Sequence, residues 1–239
     1  EYKMSFTATK GHFLKNGKPH FVISGEIHYF RVDPKLWEKH LTLLKQSGAN
    51  TTSTYISWDW HEYEEGKFDF TGETHPARNI IKYIKLCKKV GLDLIVKPGP
   101  YILAEYEGHG LPAWFLKKVS KNAFAQDENG NIISPELVSF LSDEYLHYSY
   151  LWYDKIMPII AENQQSNSGP IVMMQVCNEV GVFQWLSGRV DYNESVINLY
   201  KEFLVNKYKS IEALNKTYVT NYYSFEEVKA PVGNIENKQ

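Results

Sequence analysis

The chain is short of cysteine. Cys87 and Cys177 are its two, one in a helical pattern and one in an apolar run, which excludes a disulfide scaffold and predicts two buried thiols. There is no CxxC pair and no Cys/His cluster, so no metal is expected. No run of 18 apolar residues occurs, so no membrane-spanning helix is expected. Neither GxGxxG nor GxxxxGK[ST] follows a strand pattern, so a doubly wound open sheet lacks support from such motifs. Charge of one sign is lacking too. The formal net charge is −2, which leaves no basic face for nucleic acid. No internal repeat or low-complexity segment stands out. The first residue is Glu1 rather than Met, so a removed leader stays open. Asn50, Asn193 and Asn215 each head an Asn-x-Ser/Thr triplet, a pattern common by chance.

What the chain has is an ordinary globular balance, 43% hydrophobic and 23% charged, over a length that suits one large domain or two small ones. Aromatics reach 15%, enough both to fill a core and to line a groove for sugar rings. The punctuation alternates strand and helix. Gly11 and Asn16-Gly17 mark a hairpin within residues 1–20. Residues 21–30 read as a first strand. Asp33-Pro34 starts a helix with Trp37, Leu41 and Leu44 at helical spacing, stopped by Gly48. Residues 50–58 read as a second strand, and 61–72 as a charged loop in which Glu62, Glu64 and Glu65 are solvated. A helix follows over 76–90, closed by Gly91, then a third strand over 92–96 running into Lys97-Pro98-Gly99-Pro100-Tyr101. Residues 117–135 form a polar excursion with a tight turn at Asn129-Gly130. A long helical pattern covers 135–162, with Pro158 expected to kink or end it. A last helix is expected over 194–208.

The fourth strand, within residues 169–179, is the most informative. Gly169-Pro170 opens it, an apolar run expected to be buried on both faces follows, and Asn178-Glu179 ends it. Other strands also end in polar or aromatic groups: His28 and Tyr29, Tyr55 and Trp58, then Glu105. Strand tips bearing chemistry on one rim fit the first four strand–helix units of a (β/α)8 barrel. A doubly wound open sheet is the alternative on this pattern alone. Carboxylates on an aromatic rim suit acid/base work on a neutral substrate. In glycoside hydrolysis one carboxyl protonates the leaving oxygen and a second acts as nucleophile or base. Glu179 fits the donor if burial or a like charge keeps it protonated.

Ser24-Gly25-Glu26-Ile27-His28-Tyr29-Phe30-Arg31, Thr54-Tyr55-Ile56-Ser57-Trp58 through His61-Glu62, Lys97 to Ile102, Gly110-Leu111-Pro112-Ala113-Trp114 and Gln175 to Glu179 resemble the retaining β-galactosidases of glycoside hydrolase family 35. The resemblance runs in order over most of residues 20–180. It implies Glu179 as general acid/base and Asn178, Tyr55, Glu105 and the backbone of Ala104 as contacts to a galactoside substrate, with no cofactor and no metal. The bland alternatives are a turn-stabilising amide at Asn178, an ion pair of Glu105 with Lys97 or Arg31, and plain packing at Tyr55. Glu26 is expected to support structure, and His28 to be a satisfied rim histidine.

The sequence departs from the family pattern at Cys177 (usually Glu), Val180 (usually Tyr), Ser57 and Asp59 around Trp58, and His109 (usually Gly). In the family the nucleophile is a Glu on the seventh strand, so it is expected beyond Gln239 and the 239 residues alone are expected to be inactive. The reading is thus a partial barrel domain of an exo-β-galactosidase. A non-catalytic carbohydrate-binding or scaffold protein is the alternative. A half-barrel would need a companion chain or a second copy along its open strands.

Overall fold

The structure, a computed structural model, describes residues 5–182 and 189–231. It divides into two compact units, residues 1–117 with 150–179, and residues 118–149 with 180–239.

The first unit opens with β1 (Phe6–Thr9), β2 (His12–Lys15) and β3 (Lys18–His20), paired antiparallel in that order as the Gly11 and Asn16-Gly17 turns predict. Lys15 Nζ lies 2.6 Å from both carboxylate oxygens of Asp93, tying this small sheet to the start of a later strand. Next come β4 (Ser24–Glu26), α1 (Trp37–Gln46), β5 (Thr51–Tyr55), the helical turn α2 (Trp58–His61), the hairpin β6 (Glu62–Glu64) and β7 (Lys67–Phe68), α3 (Ile80–Val90), β8 (Asp93–Gly99) and α4 (Ala113–Lys118). Helix α5 (Asp143–Glu162) and strand β9 (Ile171–Val176) follow. Strands β4, β5, β8 and β9 form one parallel sheet in that order, so all four C-terminal ends lie on one rim. The sheet is open, with β4 and β9 at its edges.

Helix α3 shows why its sequence folds locally. Asn79 Oδ1 accepts from the Lys82 N–H at 2.8 Å. Ile80, Tyr83, Ile84 and Cys87 are buried, and Gly91 closes the helix in the left-handed region at φ 79°. Behind the rim, Trp58, His61, Phe68, Phe70 and Trp152 stack as one aromatic core. Helix α5 also pins the end of β8, since Trp152 Nε1 donates to the Pro98 carbonyl at 2.7 Å and Tyr153 donates to that of Gly99 at 2.6 Å.

Several expectations need correction. The first strand shrinks from residues 21–30 to Ser24–Glu26, with Phe21 81% and Ile23 51% exposed, because an edge strand has one neighbour to pair with and residues 29–31 coil into a 3-10 turn. Asp33 caps a turn by accepting from the Lys35 N–H at 2.9 Å, and α1 begins only at Trp37. Strand β5 is not apolar: its buried Thr51, Thr52 and Thr54 are packed as hydroxyl-bearing β-branched residues. Strand β9 is buried at Ile171 but 61% exposed at Val176, so it is not covered on both faces. Glu62 is buried rather than solvated, accepting from Trp58 Nε1 at 2.5 Å and from the Gly66 N–H at 2.8 Å. Pro158 does not end α5, which continues to Glu162.

In the second unit, residues 135–142 are not helical. They return along residues 123–125 through Ala125 N–H to Leu137 O and Ser139 N–H to Ala123 O, both 2.9 Å. The turn at Asn129-Gly130 is present, with Gly130 at φ 77°. Helices α6 (Glu194–Tyr208) and α7 (Ile211–Tyr218) pack around Leu204, Leu214 and Val228. The three glycosylation-type asparagines are engaged internally. Asn50, Asn193 and Asn215 donate from Nδ2 to the carbonyls of Phe21, Asn122 and Tyr222 at 2.7, 2.7 and 2.8 Å.

Candidate active site

The parallel register sets the site. Glu26 pairs with Ser53 across β4 and β5, and Tyr55 with Lys97 across β5 and β8, so three strand tips present Glu26, Tyr55 and Lys97 side by side. The Lys97 ammonium sits 3.8 Å from the centre of the Tyr55 ring and bonds the Glu26 carboxylate, which also accepts from Ser53 Oγ at 3.1 Å. Burial opposes ionisation of Glu26, but the Lys97 hydrogen bond and charge outweigh it and hold the carboxyl below its ordinary range. His28 stacks beside Tyr55, with ring centroids 5.0 Å apart and Nε2 3.7 Å from Glu26. Burial, with the cations of Arg31 and Lys97, keeps His28 below its usual value against the pull of Glu26, so at neutral pH it is a neutral rim residue. Lys97 pairs with Glu26 and not with Glu105, and Arg31 Nη2 donates to the Ala104 carbonyl at 2.9 Å.

Tyr55 gathers the site residues. Burial first, then the carboxylates of Glu26, Glu179 and Glu105, push its phenol up to about 12. One hydroxyl that senses all three carboxylates places Glu179 and Glu105, 74 residues apart in sequence, in one neighbourhood. Tyr55 itself is 6% exposed. Asn178 ties the tip of β9 to the loop after β8: its N–H donates to Tyr101 O and its Nδ2 to Ile102 O, both 3.0 Å, while Gln175 donates to its Oδ1 at 2.8 Å. The turn-stabilising alternative for Asn178 is therefore present, with one amide N–H left over. Glu179 is exposed on this chain, so its surroundings here do not provide the burial its expected role called for.

The rim backbone is strained. Leu103, Ala104 and Glu105 are consecutive residues at φ 52°, 52° and 45°, and Cys177 and Glu179 stand at 52° and 53°. Each costs about 1 kcal/mol or more in this region, and such strain collects where a loop presents groups to a ligand. In the sequence, Arg31 and Lys97 are singled out only as candidate partners of Glu105. Their partners in the structure, the Ala104 carbonyl in the loop after β8 and Glu26 on β4, are set by the sheet order and by the fold of that loop. Among the described residues no group of three His, Cys, Asp or Glu could hold a metal ion, and no helix is long and apolar enough to cross a membrane.

Comparison with known proteins places these features. The model of the glycosyl hydrolases family 35 matches residues 12–230. The sequence is 69% identical over 225 residues to a β-1,2-glucosyltransferase of Ignavibacterium album, covering 94% of this chain and 31% of that protein. It is 36% identical over 183 residues to the β-galactosidase of Bos taurus, covering 77% of this chain and 25% of that one. The chain thus spans about a third or less of the relatives it matches. In structure it resembles the β-galactosidase from the psychrophilic Marinomonas ef1, at a TM-score of 0.66 and 16% identity over 92% of this chain and 31% of the other, a likeness of fold. With its family match covering nearly the whole chain, this protein belongs to the glycosyl hydrolases family 35.

Proposed function

We propose that this chain is part of a (β/α)8 barrel and carries the acid/base side of a retaining active site that acts on a terminal β-glucosyl residue and passes it to a sugar hydroxyl. The observation that carries the sugar and the transfer is the 69% identity, over 94% of the chain, to a β-1,2-glucosyltransferase. The galactosidase expected from the rim motifs is the second reading, favoured by the 36% identity to a bovine β-galactosidase.

In either reading Glu179 gives its proton to the leaving oxygen as the glycosidic bond breaks. A second carboxylate, supplied by chain outside these 239 residues, takes the sugar as a covalent ester. Glu179, now ionised, then accepts the proton of the attacking hydroxyl, and the ester bond breaks. Transfer and hydrolysis differ only in whether that hydroxyl belongs to a sugar or to water. Tyr55, Asn178, the Ala104 N–H and the Glu105 carboxylate hold the hydroxyls of the reacting sugar. No hydrogen bond reaches the Ala104 N–H from the described residues.

The test uses the full-length protein with β-1,2-linked glucose oligomers and with nitrophenyl β-glucoside and β-galactoside. Longer and shorter glucose oligomers are expected from the first, abolished by Glu179→Gln. A galactoside turned over with the larger kcat/KM, and no redistribution of oligomers, would move the conclusion to the second reading.

A further inference from the structure

The rim loop after β8 is held in a conformation its residues do not favour by themselves. Leu103, Ala104 and Glu105 are three non-glycine residues in succession at positive φ. Asn178 Nδ2 anchors the loop before them through Ile102 O at 3.0 Å, and the Tyr106 N–H closes it onto Leu103 O at 2.9 Å. The middle of the loop is held from the opposite edge of the sheet. Arg31 Nη2 donates to Ala104 O at 2.9 Å. The guanidinium lies 5.6 Å from the Phe30 ring centre and 6.0 Å from that of Tyr106, two rings set edge to face. Its base is fixed as well, because the fully buried Trp37 donates from Nε1 to Tyr29 O at 2.9 Å and Val32 O at 3.0 Å, locking the 3-10 turn that carries Arg31.

We infer that Arg31 is a positioning residue, whose planar guanidinium holds Leu103–Glu105 left-handed so that the Ala104 N–H and the Glu105 carboxylate face the sugar. The inference rests on the proposed reading of those two groups as sugar contacts. A guanidinium does both tasks, lying within cation–π reach of two rings while one N–H of its rigid fork donates to a carbonyl. A lysine ammonium is a strongly hydrated point charge with no rigid fork to span rings and carbonyl, and methionine has no donor.

The full-length protein is compared with its Arg31→Met, Arg31→Lys and Arg31→Ala variants. Backbone amide exchange over residues 102–106 is followed in each, and KM and kcat are measured on whichever β-glycoside the wild type turns over best. Exchange there is expected to quicken at least about tenfold in Arg31→Met and Arg31→Lys. KM should rise about 10- to 100-fold with a smaller fall in kcat, because a sugar contact is made in ground and transition states alike. Added guanidinium ion should lower the KM of Arg31→Ala and leave that of the wild type unchanged. Unchanged exchange in Arg31→Lys overturns the inference, and quickened exchange with unchanged KM overturns it as well. A wild type inactive on every β-glycoside overturns the enzymatic reading alone, and amide exchange still decides whether Arg31 holds the loop.

Discussion

At the scale of single residues, the rim is an electrostatic arrangement whose centre is Lys97. Removing its charge in Lys97→Met leaves only His28 and the Ser53 hydrogen bond against burial at Glu26, so the Glu26 carboxyl should titrate higher than in the wild type. His28 loses a repelling cation and should also move up. NMR pH titration of the two groups checks both directions, and a downward move of either one refutes the assignment. Asp69 is the second residue with a definite consequence. Its carboxylate accepts from the Thr71, Gly72 and Thr74 N–H groups at 2.9, 2.7 and 2.7 Å and from Thr74 Oγ1, which holds it well below the usual range in spite of its burial. Asp69→Asn turns an amide N–H₂ toward donors and should cost about 2 kcal/mol or more. Because the folded-state value is depressed, this stability is fully present above the unfolded carboxyl pKa of about 3.9 and is lost as pH falls below it. Denaturant unfolding at pH 7 and pH 3 should therefore show a smaller difference between variant and wild type at pH 3. Asn178 and Glu179 stood out in the sequence because a polar pair at an apolar strand's end has no packing reason to be there, and Tyr55 stood out through the motif it belongs to. The partners of Lys97, Arg31 and Asp69 were not legible, because they depend on cross-strand register or on how a loop folds.

At the scale of elements, helices read more accurately than strands. The buried stripe of α3 repeats with its own period and its caps are adjacent in sequence, so everything that makes it is local. Strand length depends on what lies alongside, and so β4 came out short and β9 half exposed. The junction before β9 is the most constrained local feature. A Cβ on Gly169 would stand 1.8 Å from the Asn163 carbonyl oxygen and 2.1 Å from its carbon, both backbone atoms that cannot swing away. The Asn163 carbonyl also accepts the Ile171 N–H at 3.1 Å, which starts the strand. Gly169→Ala should lose about 3 kcal/mol or more, read as a fall in melting temperature. Gly181→Ala, with nothing within 4 Å of its Cβ, serves as the control and should be near neutral.

At the scale of the whole 239-residue molecule, the sheet is open. Edge β9 exposes 39% of Met174 and 61% of Val176, and the approach to edge β4 exposes Phe21 and Ile23. Unpaired N–H and C=O groups beside exposed apolar side chains are a template for another strand. The isolated chain is therefore expected to self-associate at micromolar concentration, and sedimentation showing a stable, cooperatively unfolding monomer would refute this. The openness of the sheet was foreseeable from four strand patterns, but its ends were not. The connection between its last two strands also sets the order in which the sheet is built. Thr51 and its partner Asp93 are 42 positions apart, whereas Gly99 and Val176 are 77 positions apart and must find one another across a far longer connection. In kinetic terms β4, β5 and β8 should assemble early and form the nucleus, with β9 docking last, after the barrier. Until it does, Asn178 and Glu179 have no rim to belong to, so the acid/base group arrives at the end of folding. Truncating Val96 should then slow refolding, while truncating Met173 should mainly quicken unfolding.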